Sequence, residues 1–500
     1  MTGSVADRKR LIRVTEGNLR NNHINIATHY DFFPVDCIGG PRVSAGNGKP
    51  IRIQLAGLGR TIETDIGRDA KTGKPRRQLR TRTWVKRFFA FHSIRAGDVL
   101  SLERVGDREY ALNVERPSVW SERSAKRVAE FFAGIGLVRL ALERHGLKVV
   151  FANDIDRDKF AMYQDNFPEE DFCLGDIHSL SEEDIPDCDL ATASFPCNDL
   201  SIAGAMKGIN SGQSSAFWGL VRLLGEMGNR RPAFVLLENV PGFLMSQQGN
   251  DFRSALVALN KLGYACDAFC LDASYFVPQS RQRLFVLGML GASAESAFGL
   301  EASLLRPKAL VDFVHSHAEI CWNVGPLPCP PKRRKTLRTI LENLPDDHPA
   351  WWNKARADYF MHQLSERHLA IAKEMISRPC YSYGTAFRRI RKGRSMAELR
   401  VDGLAGCLRT PRGGSGRQIL FKAGKGRYFV RLLTPRECAR LQGVPDTYRI
   451  GVPLNKALFG FGDAVCVPVI EWIAEHYLLP CMGGSSAVWI GALGTGAGVR

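Results

Sequence analysis

The spacing of apolar and polar positions divides the chain into regions of different patterning. Up to about residue 120, short apolar runs alternate with turn residues, which predicts a β-rich fold with strands at Ile51–Leu55, 83–91 and 99–102. Gly106-Asp107 separates two alternating runs and predicts a hairpin. From Arg127, strand-like runs alternate with helix-like segments. That order predicts an α/β fold with a parallel sheet and helices on both faces.

The alternation stops near residue 289 and helical patterning returns near 431. Residues 289–430 contain a Pro/Lys/Arg-rich run and one amphipathic helix, expected at about 359–375, and the end of the chain is rich in Gly, Ala and Ser. These shifts predict a β-rich domain (1–120), an α/β core (126–288), an inserted domain (289–430), the C-terminal part of the core (431–480) and a disordered tail (481–500).

Positive charge is concentrated in two of these segments. The net charge is +17, with 23 Lys/Arg against 13 Asp/Glu in residues 1–125 and 24 against 12 in residues 289–430. Charge segregated in this way favours a polyanionic partner over simple solvation of the surface. One N-terminal stretch, expected to lie partly on a strand face, carries Arg76, Arg77, Arg80, Arg82, Lys86 and Arg87.

Composition argues against several other classes of protein. The hydrophobic fraction of 45% and the charged fraction of 24% are those of an ordinary globular protein. No uninterrupted apolar stretch approaches the roughly 20 residues of a membrane span, so we expect no membrane and a cytoplasmic location. The 13 cysteines form no C-x-x-C, and Cys266 and Cys270 are the nearest approach to a ligand pair, so we expect neither a disulfide framework nor a metal site.

A glycine turn follows the first strand of the α/β region. Residues 132–136 (FAGIG) permit a tight turn and open a helix whose first N–H groups are available to a ligand. Asp154 ends the next strand, where a carboxylate can meet ribose hydroxyls. Arg139 occupies the place of the third glycine in the dinucleotide fingerprint, so a purely structural turn explains this segment equally well.

Three further segments carry polar chemistry. Cys197 follows a strand on a loop that Pro196 restrains, which suits a nucleophile, although most cysteines are inert. Glu238 lies in the last three residues of the buried run FVLLENV. A desolvated carboxylate there can hold or donate a proton, or it can simply face solvent at the strand edge. The long polar side chains of the Q-x-R-x-R segment at 279–283 suit contacts with a base edge and with phosphates. The segment is also typical of an edge strand that is exposed to solvent.

In order and spacing these segments resemble the characteristic blocks of the DNA (cytosine-5) methyltransferase family. FAGIG, Asp154 and GDI at 175–177 are similar to its cofactor blocks, and FPC, ENV, Q-x-R-x-R, TPRECARLQGVP and FGDAV follow in the family's order over about residues 126–480. The resemblance implies a doubly wound, Rossmann-like core with a target-recognition domain inserted at 289–430. The N-terminal domain resembles a B3-like DNA-binding pseudobarrel.

The resemblance implies S-adenosylmethionine as the cofactor, with Phe132 against the adenine, Asp154 on the ribose and Asp176 on the adenine amino group. The implied cofactor residues are Phe132, Gly134, Ile135, Gly136, Asp154, Ile155, Asp176, Ile177, Pro196 and Asp463. Three of these depart from the family's usual residues, since Asp154 replaces a Glu, Ile155 an aromatic residue and Asp463 a frequent Asn. None of the departures removes a catalytic group.

The resemblance also implies a mechanism and a set of DNA contacts. Cys197 would attack C6 of a cytosine flipped out of the duplex, and Glu238 would supply the proton at N3. Arg281 and Arg283 would hold the base carbonyl and the backbone. Asn198 replaces the family's usual Gln. The structural block that supports the recognition domain would contain Arg436 and Glu437, and we expect DNA contacts from Arg409, Arg412 and Arg417.

We therefore expect methyl transfer from S-adenosylmethionine to C5 of cytosine in a specific duplex sequence, by a monomer associated with the nucleoid. A cognate restriction endonuclease is a candidate partner. A tRNA cytosine-5 methyltransferase and an inactive DNA-binding homologue remain alternatives; the basic domains favour duplex DNA, and the presence of Cys197 and Glu238 argues for activity. A nicotinamide dehydrogenase would explain the glycine turn but not the FPC, ENV and TPRE segments.

Overall fold

The N-terminal part of the chain folds around a five-stranded sheet. The computed structural model describes residues 8–55, 60–91, 94, 96, 98–115, 126–168, 170–196, 216–292, 299–333, 335–391, 393–410 and 416–482. Two helices, α1 (Glu16–Asn21) and α2 (Val85–Phe91), accompany this sheet. Its strands are β1 (Lys9–Arg13), β2 (Ile51–Leu55), β3 (Arg60–Thr64), β4 (Val99–Arg104) and β5 (Glu109–Glu115), in the spatial order β1-β4-β5-β2-β3.

The sequence predicted most of these strands and misassigned one segment. β2 has the predicted bounds, and β4 and β5 form the predicted antiparallel hairpin. The predicted strand at 83–91 is wrong, because residues 85–91 form α2. Apolar side chains recur there at a spacing of four, so that Trp84 packs with Phe88 and Val85 is buried on the same side as Phe89. The helical period therefore outweighs the β-branched and aromatic composition.

The basic N-terminal stretch consequently does not lie on a strand face, and that prediction is wrong. Residues 76–82 run through an irregular segment, in which Arg80 turns inward to Asp65, and Lys86 and Arg87 lie on the exposed side of α2. The other five cations of the segment are nevertheless exposed.

The α/β region contains seven strands and five helices among its described residues. The strands are β6 (Lys126–Phe131), β7 (Leu147–Asp154), β8 (Phe172–Leu174), β9 (Leu190–Ala193), β10 (Phe234–Asn239), β11 (Tyr264–Asp272) and β12 (Gln282–Leu290). The helices are α3 (Leu137–Glu143), α4 (Arg157–Gln164), α5 (Ala216–Glu226), α6 (Asn250–Lys261) and α7 (Lys308–Ser316).

These strands form one sheet in the order β11-β12-β10-β9-β6-β7-β8. Pairing is parallel from β10 to β8, whereas β12 runs antiparallel to both of its neighbours. The sequence did not predict this reversal, which arises because β11 and β12 are joined by a short connection rather than a crossover helix. Two apolar clusters cover the two faces of the sheet, as expected for a doubly wound fold.

The inserted region has its own sheet and core. After α8 (Leu337–Ile340), the helices α9 (Lys354–His362) and α10 (Glu366–Ser377) pack on a sheet in the order β14-β13-β15-β16. Its strands are β13 (Ser382–Arg391), β14 (Arg394–Arg400), β15 (Ile419–Gly424) and β16 (Arg427–Leu432). The single helix predicted at 359–375 is thus two helices, because Ser365 caps a new one.

The C-terminal helices return to the α/β core. They are α11 (Pro435–Leu441), α12 (Leu454–Asp463), α13 (Val467–Ile473) and α14 (Leu479–Met482), with a π-helical turn at Ala474–Leu478. Within the described chain, Leu454–Met482 alone has the length and apolar composition of a membrane-spanning helix, with a mean hydropathy of 1.6. The backbone is extended at Ala464 and 67% of the apolar window is buried in the protein, so core packing accounts for its composition.

Candidate active site

The glycine turn predicted at 132–136 connects β6 to α3. Gly134 and Gly136 have φ values of 57° and 77°, a region that favours glycine, and Gly136 is the N-cap of α3. A Cβ atom at Gly136 would lie 2.4 Å from the ring of Phe167. Phe132 also has a positive φ of 57°, a strained conformation for a bulky residue. The sequence therefore needs both glycines to form this turn.

Asp154 is held at the end of β7, facing the turn. Its carboxylate accepts hydrogen bonds from the backbone N–H of Gly134 at 2.8 Å and of Asp156 at 2.9 Å. Burial raises the pKa of Asp154, while Lys159 and the two N–H donors act in the opposite direction. The side chain of Asn153 binds the carbonyls of Cys173 and Gly175 and so fixes the adjacent end of β8.

Three further predicted residues follow the ends of β7 and β8. Asp176 is exposed and its carboxylate accepts a hydrogen bond from the backbone N–H of His178 at 2.9 Å. Ile155 is 66% exposed, an unusual state for a large apolar side chain, whereas Ile177 is buried. An exposed isoleucine beside two carboxylates provides an apolar surface next to hydrogen-bond acceptors.

The ends of β9 and β10 lie side by side because the two strands are parallel. Asn239 donates a hydrogen bond through its side-chain amide to the carbonyl of Phe195 at 3.2 Å, which holds the chain that leads into Pro196. Glu238 is 8% exposed, and its Oε1 lies 2.9 Å from Nε of Arg283. A carboxylate and a guanidinium thus share one polar patch next to the predicted nucleophile loop.

Arg281 is buried and ties three segments together. Its terminal N–H groups donate to the carbonyls of Leu408, Gly462 and Ala464 at 2.8, 3.3 and 2.7 Å. Its Nη1 also lies 3.3 Å from Sγ of Cys407. Burial opposes ionisation of that thiol, but the neighbouring guanidinium groups lower the pKa of Cys407 overall. The Q-x-R-x-R segment is therefore not a solvated edge strand, since Gln279 is also fully buried.

One cavity of about 510 Å³ joins these groups. It is formed at the carboxyl ends of the parallel strands, where doubly wound folds place their ligand sites. At one end it meets the glycine turn and the carboxylates after β7 and β8, and at the other end it meets the polar patch after β9 and β10. The predicted site residues that line it are Phe132, Gly134, Asp154, Ile155, Asp176, Ile177, Pro196, Glu238, Arg281, Arg283 and Asp463.

The remaining predicted residues lie elsewhere. Ile135 is buried beneath the turn, where its carbonyl accepts a hydrogen bond from Tyr448, and Gly136 caps α3, so neither lines the cavity. Arg409 is exposed, and Arg417 donates a hydrogen bond to the side chain of Asn455 at 2.9 Å. The two predicted residues Cys197 and Arg412 lie outside the described residues.

The cavity also contains residues that the sequence analysis did not identify. Lys159 lines it, and its ammonium lies 2.8 Å from the carboxylate of Asp463. His178, Asn239 and Phe459 line it as well. A partial sequence signal existed for Lys159, because Asp463 departs from a neutral residue and an added negative charge in a ligand site favours a cationic neighbour. Nothing in the sequence indicated which lysine would supply it.

The predicted supporting block is built around Glu437. This fully buried carboxylate accepts two hydrogen bonds from Arg431 at 2.6 Å, and one each from the backbone N–H groups of Thr434 and Glu342 at 2.9 Å. Arg436 donates to the carbonyl of Tyr448 at 2.8 Å. Glu437 therefore joins β16 of the inserted region to α11.

Comparison with known proteins places this arrangement in a family. The family described as C-5 cytosine-specific DNA methylase matches residues 126–478. Type II methyltransferase M.HaeII of Haemophilus aegyptius is 30% identical over 349 residues, which cover 70% of this chain and 91% of the relative. Type II methyltransferase M.NgoBI of Neisseria gonorrhoeae is 28% identical over 367 residues, covering 73% and 97%. The solved structure of S. pombe Dnmt2 methyltransferase aligns with a TM-score of 0.49 and 20% identity, over 72% of this chain and 100% of that one.

The matched segment exceeds half of the chain and contains every block on which the resemblance rested. The sequence-based predictions of fold class and enzyme class are confirmed. The family uses S-adenosylmethionine as its methyl donor, and the N-terminal sheet lies outside the matched residues. The chain belongs to the C-5 cytosine-specific DNA methylase family and is a DNA (cytosine-5) methyltransferase.

Proposed function

We propose that this enzyme uses S-adenosylmethionine to methylate C5 of a cytosine flipped out of a specific duplex sequence. The observation that supports this most strongly is the single cavity. The glycine turn and Asp154 line it together with Glu238 and Arg283, which supports a cofactor pocket that is continuous with a base pocket. We also propose that the enzyme acts as a monomer.

The residues at the turn end of the cavity fit the cofactor. Asp154 presents a carboxylate to ribose hydroxyls, and Asp176 presents one to the adenine amino group. Phe132 and Ile155 provide apolar surface for the adenine ring, with Ile177 beneath. Glycine at 134 lets the ligand approach the backbone closely. Bound there, S-adenosylmethionine supplies an electrophilic methyl group.

At the other end of the cavity, the roles follow from the chemistry of cytosine. C5 is a weak nucleophile until a thiolate adds to C6, and we assign that addition to Cys197, which follows the cavity residue Pro196. Glu238 holds the proton at N3 that the addition requires. Arg283 orients Glu238 through their 2.9 Å contact and, with Arg281, lies where the base carbonyl would enter.

DNA binding is assigned to two basic parts of the chain. In the inserted region, Arg409, Arg412 and Arg417 belong to the glycine-rich sequence LRTPRGGSGRQ at 408–418. The backbone of Arg409 packs against Gly462 at the cavity wall. The N-terminal domain, which we propose to be a B3-like DNA-binding module, supplies a second basic surface.

The setting of the reaction is also a proposal. Both curated relatives are named type II methyltransferases. By analogy, we propose that this enzyme protects DNA in the cytoplasm as part of a restriction-modification system, with a cognate endonuclease that acts on the same site.

The proposal is tested by bisulfite sequencing of DNA from a methylation-free bacterial host that expresses the chain. We expect 5-methylcytosine at one short motif, and its loss with Cys197→Ser. Glu238→Gln should lower the methylation rate by at least about 100-fold, the usual contribution of a positioned acid, while DNA binding persists. Unmethylated DNA together with efficient methylation of tRNA in vitro would contradict the proposal.

Trapping on duplex DNA that contains 5-fluorocytosine separates the steps. A covalent adduct should form with the unmodified enzyme and with Glu238→Gln more slowly, but not with Cys197→Ser. An adduct on Cys197→Ser would remove Cys197 from the role of nucleophile.

A further inference from the structure

A lysine that the proposed mechanism does not use lies inside the cofactor end of the cavity. The ammonium of Lys159, on α4, is 2.8 Å from a carboxylate oxygen of Asp463 at the end of α12. The side chain of Lys159 is 17% exposed and that of Asp463 49% exposed, and both line the cavity. A half-buried ion pair that lines a ligand cavity can also bind charged groups of the ligand.

Lys159 lies close to the glycine turn of the proposed cofactor site. A Cβ atom placed on Gly134 would lie 3.9 Å from Cδ of Lys159, so the lysine stem passes over the glycine turn. Burial lowers the pKa of Lys159, but Asp463 and Asp154 more than compensate and raise it overall. The side chain is therefore a full cation at neutral pH, close to the glycine turn and to Asp154.

We propose that Lys159 and Asp463 together bind the amino-acid end of the cofactor. This rests on the proposed cofactor site. The methionine portion of S-adenosylmethionine carries one carboxylate and one ammonium group, and the pair offers the complementary charges. Lys159 binds the carboxylate, Asp463 binds the ammonium, and charge-assisted hydrogen bonds of this kind are the strong ones. The pair thus selects ligands that carry an intact amino-acid end.

A simpler role, an ion pair that only ties α4 to α12, is already filled by neighbouring residues. Lys456 of α12 lies 2.6 Å from a carboxylate oxygen of Asp158 on α4. Both of these side chains are about half exposed, and neither lines the cavity. Lys456 therefore provides a matched control, because it joins the same two helices with the same charges but does not face the ligand.

The test is isothermal titration calorimetry of the full chain with S-adenosylhomocysteine and with 5′-methylthioadenosine, which lacks the amino-acid end. Lys159→Met should weaken binding of S-adenosylhomocysteine about 10- to 100-fold, as expected for the loss of a hydrogen bond to a charged group, and change binding of 5′-methylthioadenosine less than about twofold. Lys159→Arg should retain most of the affinity. Lys456→Met should affect neither ligand, and thermal unfolding verifies that each variant is folded.

The possible failures are distinguishable. Equal weakening of both ligands by Lys159→Met would show that the lysine only shapes the cleft, and unchanged binding of both would show that it has no contact; either result overturns the inference while the cofactor site stands. If the unsubstituted chain binds neither ligand, the proposed cofactor site fails and this inference fails with it.

Discussion

Glu130 is a buried acid whose carboxylate has no side-chain partner among the described residues. It lies on β6, 1% exposed, and neither of its carboxylate oxygens is hydrogen-bonded to another side chain. Burial raises the pKa of Glu130 to about 8, with Arg139 opposing the rise and Glu143 adding to it. The folded protein therefore keeps this side chain protonated at neutral pH, whereas the unfolded chain ionises it near its ordinary value of 4.5.

This difference predicts a pH-dependent stability. The folded state holds a proton that the unfolded state has lost, so the free energy of unfolding falls as the pH rises from about 4.5 to about 8, at up to about 1.4 kcal/mol per pH unit. Glu130→Gln removes the carboxyl group, so unfolding of the variant no longer releases this proton. Between pH 6 and pH 8 we expect the free energy of unfolding of the variant, measured in urea, to rise by about 2 kcal/mol relative to that of the unsubstituted protein.

Glu183→Gln, a substitution of an exposed acid, serves as the control and should not alter the relative pH dependence. Parallel stability profiles for Glu130→Gln and the unsubstituted protein would contradict the assignment of a proton to Glu130.

At the scale of elements, one buried ion pair contributes to the contact between the inserted region and the core. Arg431 and Glu437 are 1% and 0% exposed, and Glu437 also completes the capping box of α11 with Thr434. The sequence identified Glu437 as part of a supporting block, but it did not identify Arg431, because the partner lies on a strand that the pattern of 289–430 does not predict.

Removing one member of this pair should cost far more than removing both. Glu437→Ala leaves an uncompensated buried guanidinium, and we expect a loss of about 3–5 kcal/mol in urea unfolding. The double substitution Arg431→Met/Glu437→Leu should cost less than the sum of the two single substitutions, because no charge then remains unpaired. Asp446→Asn, in the exposed pair with Arg440, should cost under about 1 kcal/mol. Additive losses in the double-mutant cycle would contradict a coupled pair.

Elements with a clear hydrophobic periodicity and clear turn or capping residues at their ends were predictable from the sequence. The glycine turn, the strand that ends at Asp154 and the strand that contains Glu238 near its end are where the pattern placed them, because buried parallel strands are apolar until their last residues. The antiparallel direction of β12 and the helical structure of α2 were not predictable. A short apolar run does not show by itself in which direction a strand runs, or whether the segment is a strand or a helix. The contact between Lys159 and Asp463 joins residues 304 positions apart, which no local pattern reports.

At the scale of the whole molecule, the N-terminal domain adds a charged surface that the family's core does not include. Its basic segment, residues 68–87, carries nine Lys/Arg and a single acid, Asp69. The carboxylate of Asp69 is engaged by its own turn, where it accepts hydrogen bonds from Lys71 and Thr72. Eight of the nine cations are exposed, the exception being Arg80, which pairs with Asp65. A surface of this composition suits the phosphate backbone rather than base edges.

Phosphate contacts should appear in the salt dependence of DNA binding. Each contact contributes about −0.9 to the slope of log K against log salt, so replacing Arg76, Arg77 and Lys86 with Gln should reduce the slope by up to about 2.7. The affinities for a cognate and a non-cognate duplex should fall by the same factor in fluorescence anisotropy, because these contacts carry no sequence information. The matched control, Lys49→Gln with Arg52→Gln, removes cations that are paired with carboxylates of the same domain and should leave the slope nearly unchanged. An unchanged slope for the triple variant would show that the basic segment does not contact DNA, and loss of cognate affinity alone would show instead that it reads sequence.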